Sequence, residues 1–228
     1  GVILSIAPIV VVSGFLWHQG RKLEVDAGSL YTDLITLHPD DVIRQTIRMS
    51  DALRLNLEQE TASLVAHLQS SANSAGGLSF DQAASVDWKA VNQFDKSTAT
   101  TRLPAAKLGE SPIPAISDFS VPVPVVDDVR FRPGATATIF QRMNEAGDML
   151  RIASSVRTTE GKRAIGTYIP ARMPDGQPNP VLNRVLAGSA FNGRAYVVDQ
   201  WYVSTYQPLK DAAGRVTGMV YVGIPEAS

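Results

Sequence analysis

Four arginines and five ring-bearing side chains stand out among those of the last ninety residues, in or beside stretches that read as β-strands. They are Arg142, Arg151, Arg163 and Arg194, with Tyr168, Tyr196, Trp201, Tyr202 and Tyr206. A strand points alternate residues to opposite faces, so Tyr202, Ser204 and Tyr206 share one face and Trp201, Val203 and Thr205 the other. Arg194 and Tyr196 share a side of their strand, and Arg151 aligns with Met149 and Ala153. A guanidinium among apolar neighbours is costly to bury unless an anion or an acid pairs with it. A small carboxylate held bidentately, with phenol hydroxyls as further donors, meets that demand. The competing reading sends the arginines to solvent or to Asp148, Asp199 or Asp211, and the tyrosines into ordinary core packing.

Catalytic constellations are missing from the sequence. His18, His38 and His67 all precede the strand-rich half, and no pair has metal-ligand spacing with a carboxylate partner. There is no Gly-x-Ser-x-Gly elbow, phosphate loop or dinucleotide fingerprint. The chain has no cysteine, which removes thiolate metal sites, cysteine nucleophiles and disulfides. A formal net charge of −1 offers no footprint for nucleic acid. The expectation is a binding domain and not an enzyme, with no cofactor and no metal.

The elements that must position these groups follow from patterning. Residues 1–17 carry no charge and read as a membrane-spanning segment, expected to be completed by residues preceding Gly1. Residues 18–75 read as a long stalk or dimerisation helix. Pro39, Asp40 and Asp41 mark a start, and Ile43, Ile47, Leu53, Leu57, Leu64 and Leu68 form a stripe at helical spacing. That stripe packs either on the domain or on a twin helix. Residues 76–133 read as a connection holding a short helix within Phe80–Phe94, a strand over Thr98–Leu108, a proline-rich run, and a helical turn within Val125–Phe131. Residues 134–225 read as the core. Strands are expected over Ala135–Met143, Met149–Val156, Ala190–Val198, Gln200–Leu209 and Arg215–Ile224, with a helix capped by Asn179. The fold class is α+β, a long N-terminal helix followed by one antiparallel sheet.

Several blocks carry a family resemblance: GATATIFQRMNEAGDMLRIASSV from Gly134, GKRAIGTYIPA from Gly161, NPVLNRVLAG from Asn179, and GRAYVVDQWYVSTYQPLKDAAGRVTGMVYVGI from Gly193. With DWKAVNQF and PVVDDVR upstream, they resemble the Cache 3/Cache 2 fusion family of PAS-like sensor domains over about Asp87–Pro225. The family commonly has a Gly-Gly-x-Trp-Leu-Gly segment after its Leu-Pro, whereas Leu103-Pro104 here leads into AAKLGESPIPAI. The resemblance implies a periplasmic sensor on the inner membrane, within a chemotaxis receptor or, alternatively, a membrane histidine kinase. It also brings Thr167, in the RAIGT block, into the candidate site. That site is Arg151, Arg163, Thr167, Tyr168, Arg194, Tyr196, Tyr202 and Tyr206. The expected partners are a small organic anion, the membrane through the N-terminal helix, and a second copy of the chain. A structural or interaction module without ligand is the other reading.

Overall fold

A computed structural model describes residues 39–226. The expected membrane segment and the first part of the stalk lie outside them. Among the described residues no helix is long and apolar enough to cross a membrane. The chain divides into two units, Gly1–Ser50 and Asp51–Ser228. The packing described below is that of the second.

Helix α1 spans Pro39–Ser74, starting at the expected proline with Asp40 and Asp41 in its first turn. From Leu57 onward its stripe is covered: Thr61, Leu64, Val65, Leu68 and Ala72 are buried, each under a tenth exposed. Fully burying a leucine contributes about 1.5–3 kcal/mol, so this segment is held by its apolar face rather than by helix propensity. The helix ends at Gly76 and Gly77, both at positive φ, a conformation that glycine alone adopts without strain.

Nine strands then form one mixed sheet: β1 (Leu78–Asn92), β2 (Thr98–Leu108), β3 (Ser111–Pro112), β4 (Thr136–Arg142), β5 (Met149–Ser154), β6 (Thr167–Ile169), β7 (Phe191–Val197), β8 (Gln200–Lys210) and β9 (Val216–Pro225). Their order is β3-β2-β1-β6-β5-β4-β9-β8-β7. The ladders are antiparallel except that between β1 and β6. All five core strands read from sequence are present, and helix α2 (Pro180–Leu186) starts at Asn179, whose side chain accepts from the amides of Val181 and Leu182. Such a cap stabilises by about 1 kcal/mol.

Two readings need correction. The helix expected within Phe80–Phe94 is strand β1. Its Val86, Trp88 and Ala90 are sheltered while Asp87 and Lys89 are exposed, a period of two rather than 3.6. With β2 it makes a long hairpin, so residues 76–133 are far more than a connection. Strand β6 was not foreseen, since three residues show no periodicity.

The sheet separates two cores. On one face Ala137, Ile139, Leu150, Ile152, Val220, Val222 and Ile224 meet α1. On the other, Phe140, Met149, Tyr202, Tyr206, Met219 and Tyr221 lie with Val181, Leu182 and Val185 of α2. Leucine, isoleucine and valine dominate the first face, and aromatic and thioether side chains the second.

Candidate functional site

Arg151 is buried, 1% exposed, in the middle of β5. Register puts it opposite Phe140, and an extra residue in β5, Ile152, shifts the ladder before Ala153 pairs with Ile139. That bulge brings Ser154, opposite Thr138, onto the same face as Arg151. The guanidinium carbon sits 5.0 Å over the Phe140 ring. Its Nη1 donates to Thr167 Oγ1 at 2.8 Å and its Nη2 to Gln93 Oε1 at 3.2 Å. Both partners are neutral, and Nε is buried with no partner among the described residues.

Three tyrosines extend the cluster around Arg151. Tyr206 and Tyr221 have ring centroids 4.9 Å apart, and Tyr202 lies 6.5 Å from Tyr221. Tyr206 is also 6.2 Å from Phe140 and 6.1 Å from Phe191. Gly223 permits this packing, because a Cβ there would overlap the Tyr221 phenol oxygen. The Tyr221 hydroxyl contacts Thr136 Oγ1 at 3.4 Å, and Gln200 donates to the Tyr202 oxygen at 2.7 Å. Ser204 Oγ, between Tyr202 and Tyr206 and beside the Tyr221 phenol, is a second buried atom without a well-formed hydrogen bond among the described residues.

Burial sets the electrostatics. It pushes the phenols of Tyr202, Tyr206 and Tyr221 above their ordinary value, with the Arg151 charge opposing the shift at Tyr206. All three hydroxyls therefore keep their protons at neutral pH and remain hydrogen-bond donors. Burial also lowers the pKa of Arg151, but a guanidinium starts so high that it stays a cation. The arrangement is one positive charge with phenolic donors and no acid: chemistry suited to holding an anion.

The other sequence candidates separate from this cluster. Thr167, Tyr202 and Tyr206 join Arg151. Arg163 does not: it is 2% exposed, but every N–H is already used. Its Nη1 and Nη2 each donate to an Asp127 carboxylate oxygen at 2.8 Å, and the remaining bonds go to the carbonyls of Asp118, Val121 and Ser154. It stacks 4.5 Å over Phe119 and ties the proline-rich run to the sheet. Tyr168 packs against the helix-side core. Arg194 and Tyr196 are exposed, the former paired with Glu226 at 2.7 Å and stacked over Trp201. Of the sequence alternatives for a paired arginine, Asp211 binds Arg215 instead.

Gln93, Phe140, Ser204 and Tyr221 complete the cluster and were not among the sequence candidates. The alternation of Met219, Tyr221 and Gly223 with Val220, Val222 and Ile224 carried a signal for Tyr221. Gln93 carried none, because it arrives through the unforeseen β1–β6 pairing. Two surface clefts lie elsewhere. One of about 140 Å³ is lined by Phe94, Arg172 and Met173, and a groove of about 950 Å³ by Phe80, Arg142 and Leu209.

Comparison with known proteins gives one match: the family model described as the Cache 3/Cache 2 fusion domain covers residues 29–228. No curated protein and no solved structure matches.

Proposed function

The chain belongs to the Cache 3/Cache 2 fusion family, and from that premise we propose that it binds a small monocarboxylate against Arg151 and reports occupancy through α1. Cache domains are extracellular sensor modules that bind small molecules rather than catalysts. The observation that carries the ligand class is a count of buried charge. The buried charged side chains among the described residues are Arg151 and Arg163, and Arg163 is neutralised by Asp127. One positive charge is left over, with no acid beside it. A monoanion balances that charge; a dianion brings surplus charge and an amino acid brings an ammonium with no partner.

The setting we propose is a chemotaxis receptor, as the resemblance implies, with a membrane histidine kinase as the alternative. Residues 1–17 supply the inner-membrane anchor and the sensor lies in the periplasm. A homodimer fits the exposed apolar side chains of α1, Ile43, Ile47 and Met49 in the first unit and Leu53 and Leu55 in the second. A domain without ligand has one observation in its favour: Thr167 and Gln93 already occupy both Nη groups of Arg151.

Titration calorimetry with acetate, propionate, alanine and succinate separates these readings. Acetate or propionate is expected to bind, with alanine and succinate at least about tenfold weaker, a difference of about 1.4 kcal/mol. Silence across the panel supports the ligand-free module, and tight alanine binding contradicts the charge count.

A further inference from the structure

Strand β8 faces the Arg151 cluster on one side and α1 on the other. Tyr202, Ser204 and Tyr206 belong to the first face, and Thr205 lies between the last two. Its Oγ1 is 2.9 Å from Thr61 Oγ1 of α1. Thr61 is 0% and Thr205 2% exposed, so no solvent competes for these hydroxyls. Thr61 Oγ1 also lies 3.0 Å from the Glu58 carbonyl oxygen. Thr205 Oγ1 lies 3.0 Å from Oδ1 of Asn192, its cross-strand neighbour on β7.

Each threonine has one hydroxyl proton, yet three contacts call for one: Glu58 O, the contact between the hydroxyls, and Asn192 Oδ1. Two protons cannot serve all three. In one arrangement Thr61 donates to Thr205 and Thr205 donates to Asn192, so that helix and both strands are tied in series. In a second Thr61 donates back to Glu58 within its own helix, Thr205 donates to Thr61, and Asn192 is released; in a third Thr61 donates to Glu58 and Thr205 to Asn192, and no hydrogen bond ties the helix to β8. The neighbouring helix–sheet contacts are aliphatic and carry no direction of their own. Hydrogen bonds of this kind have discrete alternatives, whereas a packed aliphatic face deforms little.

We propose that the Thr61–Thr205–Asn192 chain is a latch, closed while a hydrogen bond joins the two threonines and open when Thr61 turns to Glu58 and Thr205 to Asn192, through which occupancy of the Arg151 cluster changes how α1 is held. The inference rests on the anion-site reading for its trigger. Ser204 supplies the lever: its buried hydroxyl lies beside the Tyr221 phenol without a well-formed hydrogen bond, it changes partner when the site fills or β8 shifts, and Thr205 is the next residue. A ligand moves the equilibrium by the difference in its affinity for the two arrangements.

Amide hydrogen exchange on the 228-residue chain tests this, with propionate as the probe and Thr205→Val, Thr61→Val and Thr205→Ser as variants. In the parent, propionate slows exchange over Tyr202–Tyr206 and changes exchange over Glu58–Leu68 by about fivefold or more. In Thr205→Val the strand still responds and the helix response falls below about twofold, while Thr205→Ser restores it. A parental helix response in Thr205→Val overturns the latch. Should propionate leave the parent unchanged in both places, the anion reading fails and the ligand-free arm judges the latch. Thr61→Val then speeds exchange in β7 and β8 as well as α1, and a change confined to α1 overturns it.

Discussion

Arg151→Met is expected to abolish carboxylate binding while leaving the ligand-free domain as stable as the parent or more so. Methionine fills the volume of the arginine stem and fits the irregular space beside Phe140. The substitution removes a buried cation whose hydrogen-bond partners, Thr167 and Gln93, are uncharged and whose Nε has none. Replacing buried ionic groups by apolar residues of similar volume is often neutral or stabilising by 1–4 kcal/mol. The two released neutral groups offset part of that, at about 1 kcal/mol each. Thermal unfolding with and without propionate reads both halves. Parent Tm rises with propionate, as binding to the native state alone requires. The Arg151→Met Tm starts no lower and does not move. A strongly destabilised variant would mean that Arg151 is a structural residue.

Arg163→Met is expected to behave oppositely, losing about 3–5 kcal/mol in urea unfolding, as when one partner of a buried ion pair is removed. That is a large share of the roughly 5–15 kcal/mol holding a typical domain together. The Asp127 carboxylate keeps only the half-exposed Arg130 at 3.1 Å and the Val123 amide, and three backbone carbonyls lose their donor. Propionate still raises the Tm of whatever folds, because Arg163 has no N–H to offer a ligand. The pair also predicts acid sensitivity. Burial pushes the Asp127 carboxyl up, but the bonds from Arg163 and the Val123 amide, together with the charges of Arg163 and Arg130, outweigh this and hold it below the ordinary value. A depressed folded-state value means that the stabilisation is complete above about pH 4 and is lost as pH falls through the folded-state value. The parent therefore loses stability on acidification through that range, and Arg163→Met loses less. Equal acid profiles for the two proteins would contradict the assignment.

Sequence reasoning placed both arginines in one candidate site because strand alternation reports faces and not partners. Nothing in the local sequence of Arg163 announces Asp127, 36 residues earlier, brought in by a proline-rich run with no periodicity. Arg194 and Tyr196 were assigned to one side of their strand correctly, but it is the outer side at a sheet edge, and the edge position depends on the full strand order. The core strands and α2 were legible because β-branched periodicity, turn glycines and the Asn179-Pro180 cap all point the same way. The Phe80–Phe94 error shows the limit. Asp87, Trp88, Lys89 and Ala90 fit either an amphipathic turn or a half-buried strand, and pairing with β2 decides for the strand.

The charge left over at Arg151 is the point on which the ligand assignment rests. A crystal structure of the chain saturated with propionate addresses it directly. The expected result is a carboxylate about 2.8 Å from the Arg151 guanidinium, displacing Thr167 or Gln93 or bonding Nε, with its methyl end toward Tyr206 and Phe140. Arg151 still bonded to Thr167 and Gln93 alone in such crystals, with the space around it filled by the protein's own side chains, would contradict the account.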